Sequence, residues 1–138
     1  MNSKPLAEPE LRNAKVMVID DDPVMLEFVE SALHELQIRS VRLCADGFSA
    51  LKQLANFAPT VILTDIHMKP IDGFEFVRKL HAEMNPIRRE IPVIFMSSDS
   101  SPETLKSALP LGACGYIVKP PCVETLRTKI SQALQCHP

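Results

Sequence analysis

The chain has 138 residues, 46% of them hydrophobic, which is the size and apolar content of one domain around one well-filled core. A formal net charge of −2, with 15 basic and 17 acidic residues and no basic run, excludes a nucleic-acid surface or an anionic-membrane surface as the expected partner and leaves other proteins. No apolar run approaches the roughly 20 residues that span a bilayer, and the opening MNSKPLAEPELRNAK lacks a signal-type hydrophobic stretch, so a cytoplasmic address is expected.

Residues 1–13 are polar and carry two prolines, which predicts a flexible N-terminal extension left out of the core, with the folded domain at 14–136. From there short apolar runs alternate with helical periodicity, the mark of βαβ units. Strands are predicted at Val16 to Asp20, Val41 to Cys44, Val61 to Thr64, Val93 to Met96 and Tyr116 to Val118. The runs VMVI, VIL and VIFM are apolar without alternation, as central parallel strands covered on both faces require. The first helix is predicted at Val24 to Leu36, where Met25, Val29, Ala32, Leu33 and Leu36 recur at helical spacing. Gly47 to Asn56, Gly73 to Met84 and about Pro102 to Leu109 follow. Val123, Leu126, Ile130 and Leu134 set the last one. Pro23 and Pro121 suit helix first turns, whereas Pro110 disfavours helical geometry at Leu109, so the fourth helix should be short or frayed. Five βα repeats with right-handed crossovers give a flavodoxin-like (βα)5 doubly wound parallel sheet, strand order 2-1-3-4-5. Four cysteines (Cys44, Cys114, Cys122, Cys136) and four histidines (His34, His67, His81, His137) show no CxxC or HExxH spacing. The thiols are read as reduced and apolar in character, and the histidines, His67 apart, as surface residues.

In such a sheet the site lies beyond the carboxyl ends of the strands. The first strand ends in Asp20, Asp21 and Asp22, and the third, its neighbour, ends in Asp65, so Asp20, Asp21 and Asp65 should converge. At about 5 Å and an effective dielectric near 20, each carboxylate pair repels by roughly 3 kcal/mol, which calls for a cation or for protons. A small hard divalent ion, Mg²⁺, suits oxygen ligands of this kind. The plainer reading is that DDDP only caps a helix N-terminus. Ser97 after VIFM and Lys119 after YIV shift the balance. A hydroxyl and an ammonium on the same rim could hold a dianionic phosphoryl group beside the metal, and capping does not account for the lysine.

VIDDDP, DIHMKPIDG, the strand ending in Ser97, and GACGYIVKP together resemble the receiver domains of two-component response regulators, over about Lys15 to Gln135. That resemblance implies Asp65 as phosphoacceptor, Asp20 and Asp21 as the acidic metal pair with Asp21 the direct ligand, and the backbone carbonyl of His67 as a further ligand. The metal would be Mg²⁺ (or Mn²⁺). Ser97 becomes the switch hydroxyl, Lys119 the ion-pairing lysine, Tyr116 the switch aromatic, and His67 and Asp99 the residues tuning phosphorylated lifetime. The implied partners are a sensor histidine kinase or phosphotransfer protein and an unidentified downstream protein. That protein would be met by the fourth helix, fifth strand and fifth helix, with no direct nucleic-acid or membrane contact. Such a domain is a signalling phosphoacceptor that catalyses only its own phosphorylation and dephosphorylation. A cis Lys119–Pro120 bond is also implied. Three departures stand out: MKP where MP is usual, Pro121 where an aromatic is frequent, and Pro110 on the output face. The competing reading is a haloacid-dehalogenase-like phosphatase using Asp20 and Asp22 as its DxD motif.

Overall fold

The computed structural model describes residues 8–83 and 85–136. Residues 1–7 of the expected extension, Met84 at the end of the predicted third helix, and His137 lie outside the described residues. Five strands, β1 (Lys15–Ile19), β2 (Ser40–Cys44), β3 (Val61–Asp65), β4 (Val93–Ser97) and β5 (Gly115–Val118), alternate with crossover helices. These are α1 (Pro23–Glu35), α2 (Gly47–Phe57), α3 (Gly73–His81), α4 (Pro102–Ala108) and α5 (Val123–Cys136). The strands pair in parallel in the order β2-β1-β3-β4-β5, as the sequence predicts.

Period-two side-chain alternation divides the interior into two layers. Val16 and Val18 of β1 face α1 and α5, packing with Leu26, Val29, Leu126 and Ile130. Met17 and Ile19 face α2 and α3, packing with Leu54, Phe57, Phe76 and Leu80. β3 and β4 are buried along their whole length, which is why their sequences read as unbroken apolar runs. Four of the five crossover helices start on a side-chain cap: the side chains of Asp22, Asp46, Asp72 and Ser101 accept the N–H groups of Val24, Ser49, Glu75 and Thr104 at the starts of α1 to α4.

Several features depart from, refine or agree with the sequence reading. Leu11, in the helical turn Glu8–Arg12, is fully buried in the α1/α5 layer, and Arg12 donates to Gln37 Oε1 at 2.9 Å. The core therefore includes part of the segment left out of it; two leucines five residues apart, Leu6 and Leu11, match neither a helical nor a strand period that would announce it. A second short helical turn, Pro86–Arg89, is capped by Asn85 and lies before β4, where the sequence predicts no element. Pro110 acts as expected: α4 stops at Ala108 and the chain continues as a 3-10 turn, Leu109–Leu111, which closes on Gly112 at φ 71°. Lys69–Pro70 and Lys119–Pro120 are cis, the second as the resemblance implies. Cys44 is buried, which pushes its thiol up to about 11, whereas Cys122 is exposed rather than packed as an apolar side chain.

Candidate functional site

Strand order reverses between β1 and β3, and the acidic cluster sits at the carboxyl ends of those two strands. Carboxylate oxygens of Asp20, Asp21 and Asp65 all lie within 4.8 Å of one another. Asp20 and Asp65 are buried and Asp21 is exposed at the mouth. Directly after β5, Lys119 brings its ammonium to 2.6 Å from Asp20 Oδ2 and 3.2 Å from Asp65 Oδ1. Its own N–H donates to the Ser97 carbonyl at 2.9 Å, so β4 and β5 are locked together beside the cluster. The second Asp20 oxygen accepts the Asp22 N–H at 2.9 Å, and Asp21 Oδ2 accepts the Lys69 N–H at 3.3 Å.

Asp22 does not join the cluster. It is exposed and its carboxylate accepts the Val24 N–H at 3.0 Å, capping α1. The acidic run thus divides its labour: two residues turn into the site and the third serves the helix.

One ammonium faces three carboxylates, and the charges do not balance. Burial and the neighbouring Asp20 charge raise the Asp65 carboxyl above its ordinary value, and the approach of Lys119 offsets only part of that. Burial works against the Lys119 ammonium, but the hydrogen bond from it to Asp20 and the charges of Asp65 and Asp20 outweigh burial and hold it above the usual lysine value. Counting three carboxylates at −1 and one ammonium at +1, the site carries −2, which is the charge of one divalent cation with the sign reversed. An all-oxygen donor set, two members of it buried and one exposed, fits a small hard divalent ion that keeps part of its water.

Ser97 is buried at the end of β4. Its hydroxyl oxygen accepts the Asp99 N–H at 3.0 Å, which leaves its single hydrogen free to donate. Tyr116 is half-buried and its hydroxyl donates to the Asp99 carbonyl. His67 is exposed, with Nε2 3.4 Å from Asp99 Oδ2. That carboxylate also accepts from Thr104 and Ser101, and these bonds, the one from Thr104 foremost, lower the Asp99 carboxyl to about 2.

The sequence reading assigned no task to Thr104, Ser101 or Gly73. A serine before proline with a threonine three residues on is a helix-start pattern that could have marked the first two. Gly73 carries no such signal: a Cβ there would stand 2.4 Å from the Asp65 carbonyl oxygen and 3.0 Å from Ile66 Cα, so only glycine lets α3 start against the end of β3.

A doubly wound sheet with an acidic, lysine-bearing site at its switch point defines a class of small signalling modules, and comparison with known proteins gives the family. Residues 16–131 match the response regulator receiver domain, and the chain belongs to that family. It is 34% identical over 115 residues to a two-component response regulator of Oryza sativa subsp. indica, covering 82% of this chain and 16% of that one. It is 36% identical over 111 residues to a gliding motility regulatory protein of Myxococcus xanthus, covering 80% and 14%. Among solved structures, a chemotaxis protein of Vibrio cholerae superposes with a TM-score of 0.79 at 30% identity, covering 88% of this chain and 98% of that one. The chain thus spans a sixth or less of the length of those two curated relatives.

Proposed function

We propose that this receiver domain takes a phosphoryl group from a phosphohistidine, on a sensor histidine kinase or a phosphotransfer protein, onto Asp65. The observation that carries this reading is the Lys119 ammonium shared between buried Asp20 and Asp65 inside a three-carboxylate cluster. Asp20, Asp21, Asp65 and the His67 backbone carbonyl would hold Mg²⁺ (or Mn²⁺). When bound, the ion neutralises phosphoryl oxygens that would otherwise repel a carboxylate nucleophile.

An Asp65 oxygen forms the new bond to phosphorus as the bond to the donor nitrogen breaks, and the histidine leaves with the electron pair and takes up a proton. Lys119 pairs with a phosphoryl oxygen on one side, and the free Ser97 hydrogen donates to another. Exposed Asp21 keeps the mouth accessible to the partner. Hydrolysis of the acyl phosphate resets the domain, and His67 and Asp99 tune that step. The domain acts on no other substrate, and a cytoplasmic setting goes with the two proposed partners. Among the described residues no helix is long and apolar enough to cross a membrane.

The signal leaves through α4, β5 and α5. Leu105 of α4, Leu109 of the 3-10 turn that follows it and Val118 of β5 are exposed apolar residues on this face, and a groove of about 370 Å³ runs between α4 and β5 beside Tyr116. A phosphatase working through Asp20 and Asp22 has no support, because Asp22 is spent on the α1 cap.

The decisive experiment is intact-mass measurement after incubation with acetyl phosphate and Mg²⁺. One phosphoryl adduct is expected on the wild type and none on Asp65→Asn or without the metal. Catalytic turnover of a phosphomonoester without a stable adduct would instead favour the phosphatase.

A further inference from the structure

The loop between β4 and α4 hangs on one carboxylate. Asp99 Oδ1 accepts the Ser101 N–H at 2.9 Å and Oδ2 accepts the Thr104 hydroxyl at 2.7 Å. Thr104 has one hydroxyl hydrogen and gives it to Asp99, so in the 3.0 Å contact between Ser101 Oγ and Thr104 Oγ1 the serine is the donor. The two hydroxyls form a chain that ends on a charge, an arrangement in which each hydrogen bond polarises and strengthens the next. The Ser101 oxygen meanwhile accepts the Thr104 N–H at 3.3 Å, so the first turn of α4 is bound to the same cluster.

The main chain of Asp99 serves different partners. Its N–H donates to Ser97 Oγ at 3.0 Å, and its carbonyl accepts from the Tyr116 hydroxyl. A single residue therefore touches both proposed switch residues through its backbone while its side chain is held by α4. A rotation of the Asp99 carbonyl away from Tyr116 displaces the residues that follow it, which the carboxylate ties down through the Ser101 N–H and Thr104.

We propose that Thr104 is a positioning residue of the switch: through the Asp99 carboxylate it fixes the β4–α4 loop with the Asp99 carbonyl turned toward Tyr116, so the first turn of α4 sets the orientation of Tyr116 before any phosphoryl group arrives. Its meaning as signalling rests on the phosphoacceptor reading; the contact itself does not, and the test uses unphosphorylated protein.

The chain holds one tyrosine and no tryptophan, so its intrinsic fluorescence reports Tyr116 alone. The measurement is acrylamide quenching of that signal, below the thermal transition, in wild type, Thr104→Val, Thr104→Ser and Asp99→Ala. Thr104→Val keeps the shape and removes the hydroxyl; a lost hydrogen bond to a charged acceptor should raise the quenching constant at least about twofold. Asp99→Ala, which keeps the amide and the carbonyl, should do the same, and Thr104→Ser should stay at the wild-type value. Quenching unchanged in Thr104→Val and Asp99→Ala overturns the proposal, as does Thr104→Ser behaving like the valine variant. Failure of Asp65 to accept a phosphoryl group would remove the phosphoacceptor reading and leave this result standing.

Discussion

Lys119 shows how much one side chain can carry. Asp20 is fully buried, and the ammonium at 2.6 Å is its main compensation. Removing one partner of a buried pair leaves an uncompensated charge, which costs about 3 kcal/mol or more. Lys119→Met should lose roughly that amount in urea unfolding at neutral pH, and added Mg²⁺ should restore part of it by supplying the missing positive charge. Gly73 is equally constrained for a steric reason. The Cβ of Gly73→Ala would run into backbone atoms of Asp65 and Ile66, neither of which can rotate away. A cost of about 1–3 kcal/mol is expected, the range of overpacked sites, together with weaker Mg²⁺ binding because Asp65 is the residue displaced. A Gly73→Ala variant with wild-type stability and metal affinity would show that α3 can retreat from β3.

At the scale of elements, the strands and their order were legible because burial on both faces forces unbroken apolar runs, as in VIFM. The acidic site was legible for a related reason: carboxyl ends of neighbouring parallel strands meet, so Asp20 and Asp65 could be paired on strand order alone. The β4–α4 loop was not legible, since its order comes from side chain to backbone bonds that leave no period. Its contribution depends on pH, with a definite sign. The Asp99 carboxyl lies at about 2, below its ordinary value of 3.8. A lowered acid favours the folded state while ionised, so this stabilisation is complete above about pH 4 and is lost as pH falls toward 2. The stability difference between wild type and Asp99→Ala should therefore be constant near neutrality and shrink across that window in acid titrations. On α5, Ser131 is the one buried side-chain polar atom without a partner among the described residues. Ser131→Ala should accordingly raise stability by about 1 kcal/mol.

For the whole molecule, the proposed cation site is a property of the folded chain alone. Asp20 directly follows β1, Asp65 ends β3 and Lys119 directly follows β5, and these strand ends meet only once the sheet has formed. A metal ion held by this set binds the native state and has no comparable site on the unfolded chain, so binding must raise stability by linkage. At a free Mg²⁺ concentration ten times its Kd the gain is roughly 1.4 kcal/mol, or about 5 °C in Tm for a domain of this size. Repulsion within the cluster works in the opposite direction before metal arrives. Asp21→Asn removes one of the three charges at the exposed mouth, so its metal-free Tm should lie above that of the wild type while its response to Mg²⁺ should be weaker. The two melting curves should then converge or cross as Mg²⁺ rises, with NaCl at matched ionic strength producing neither change. Parallel, flat curves across the titration would mean that the −2 charge is met by solvent ions, and the metal-dependent chemistry proposed for Asp65 would lose its basis.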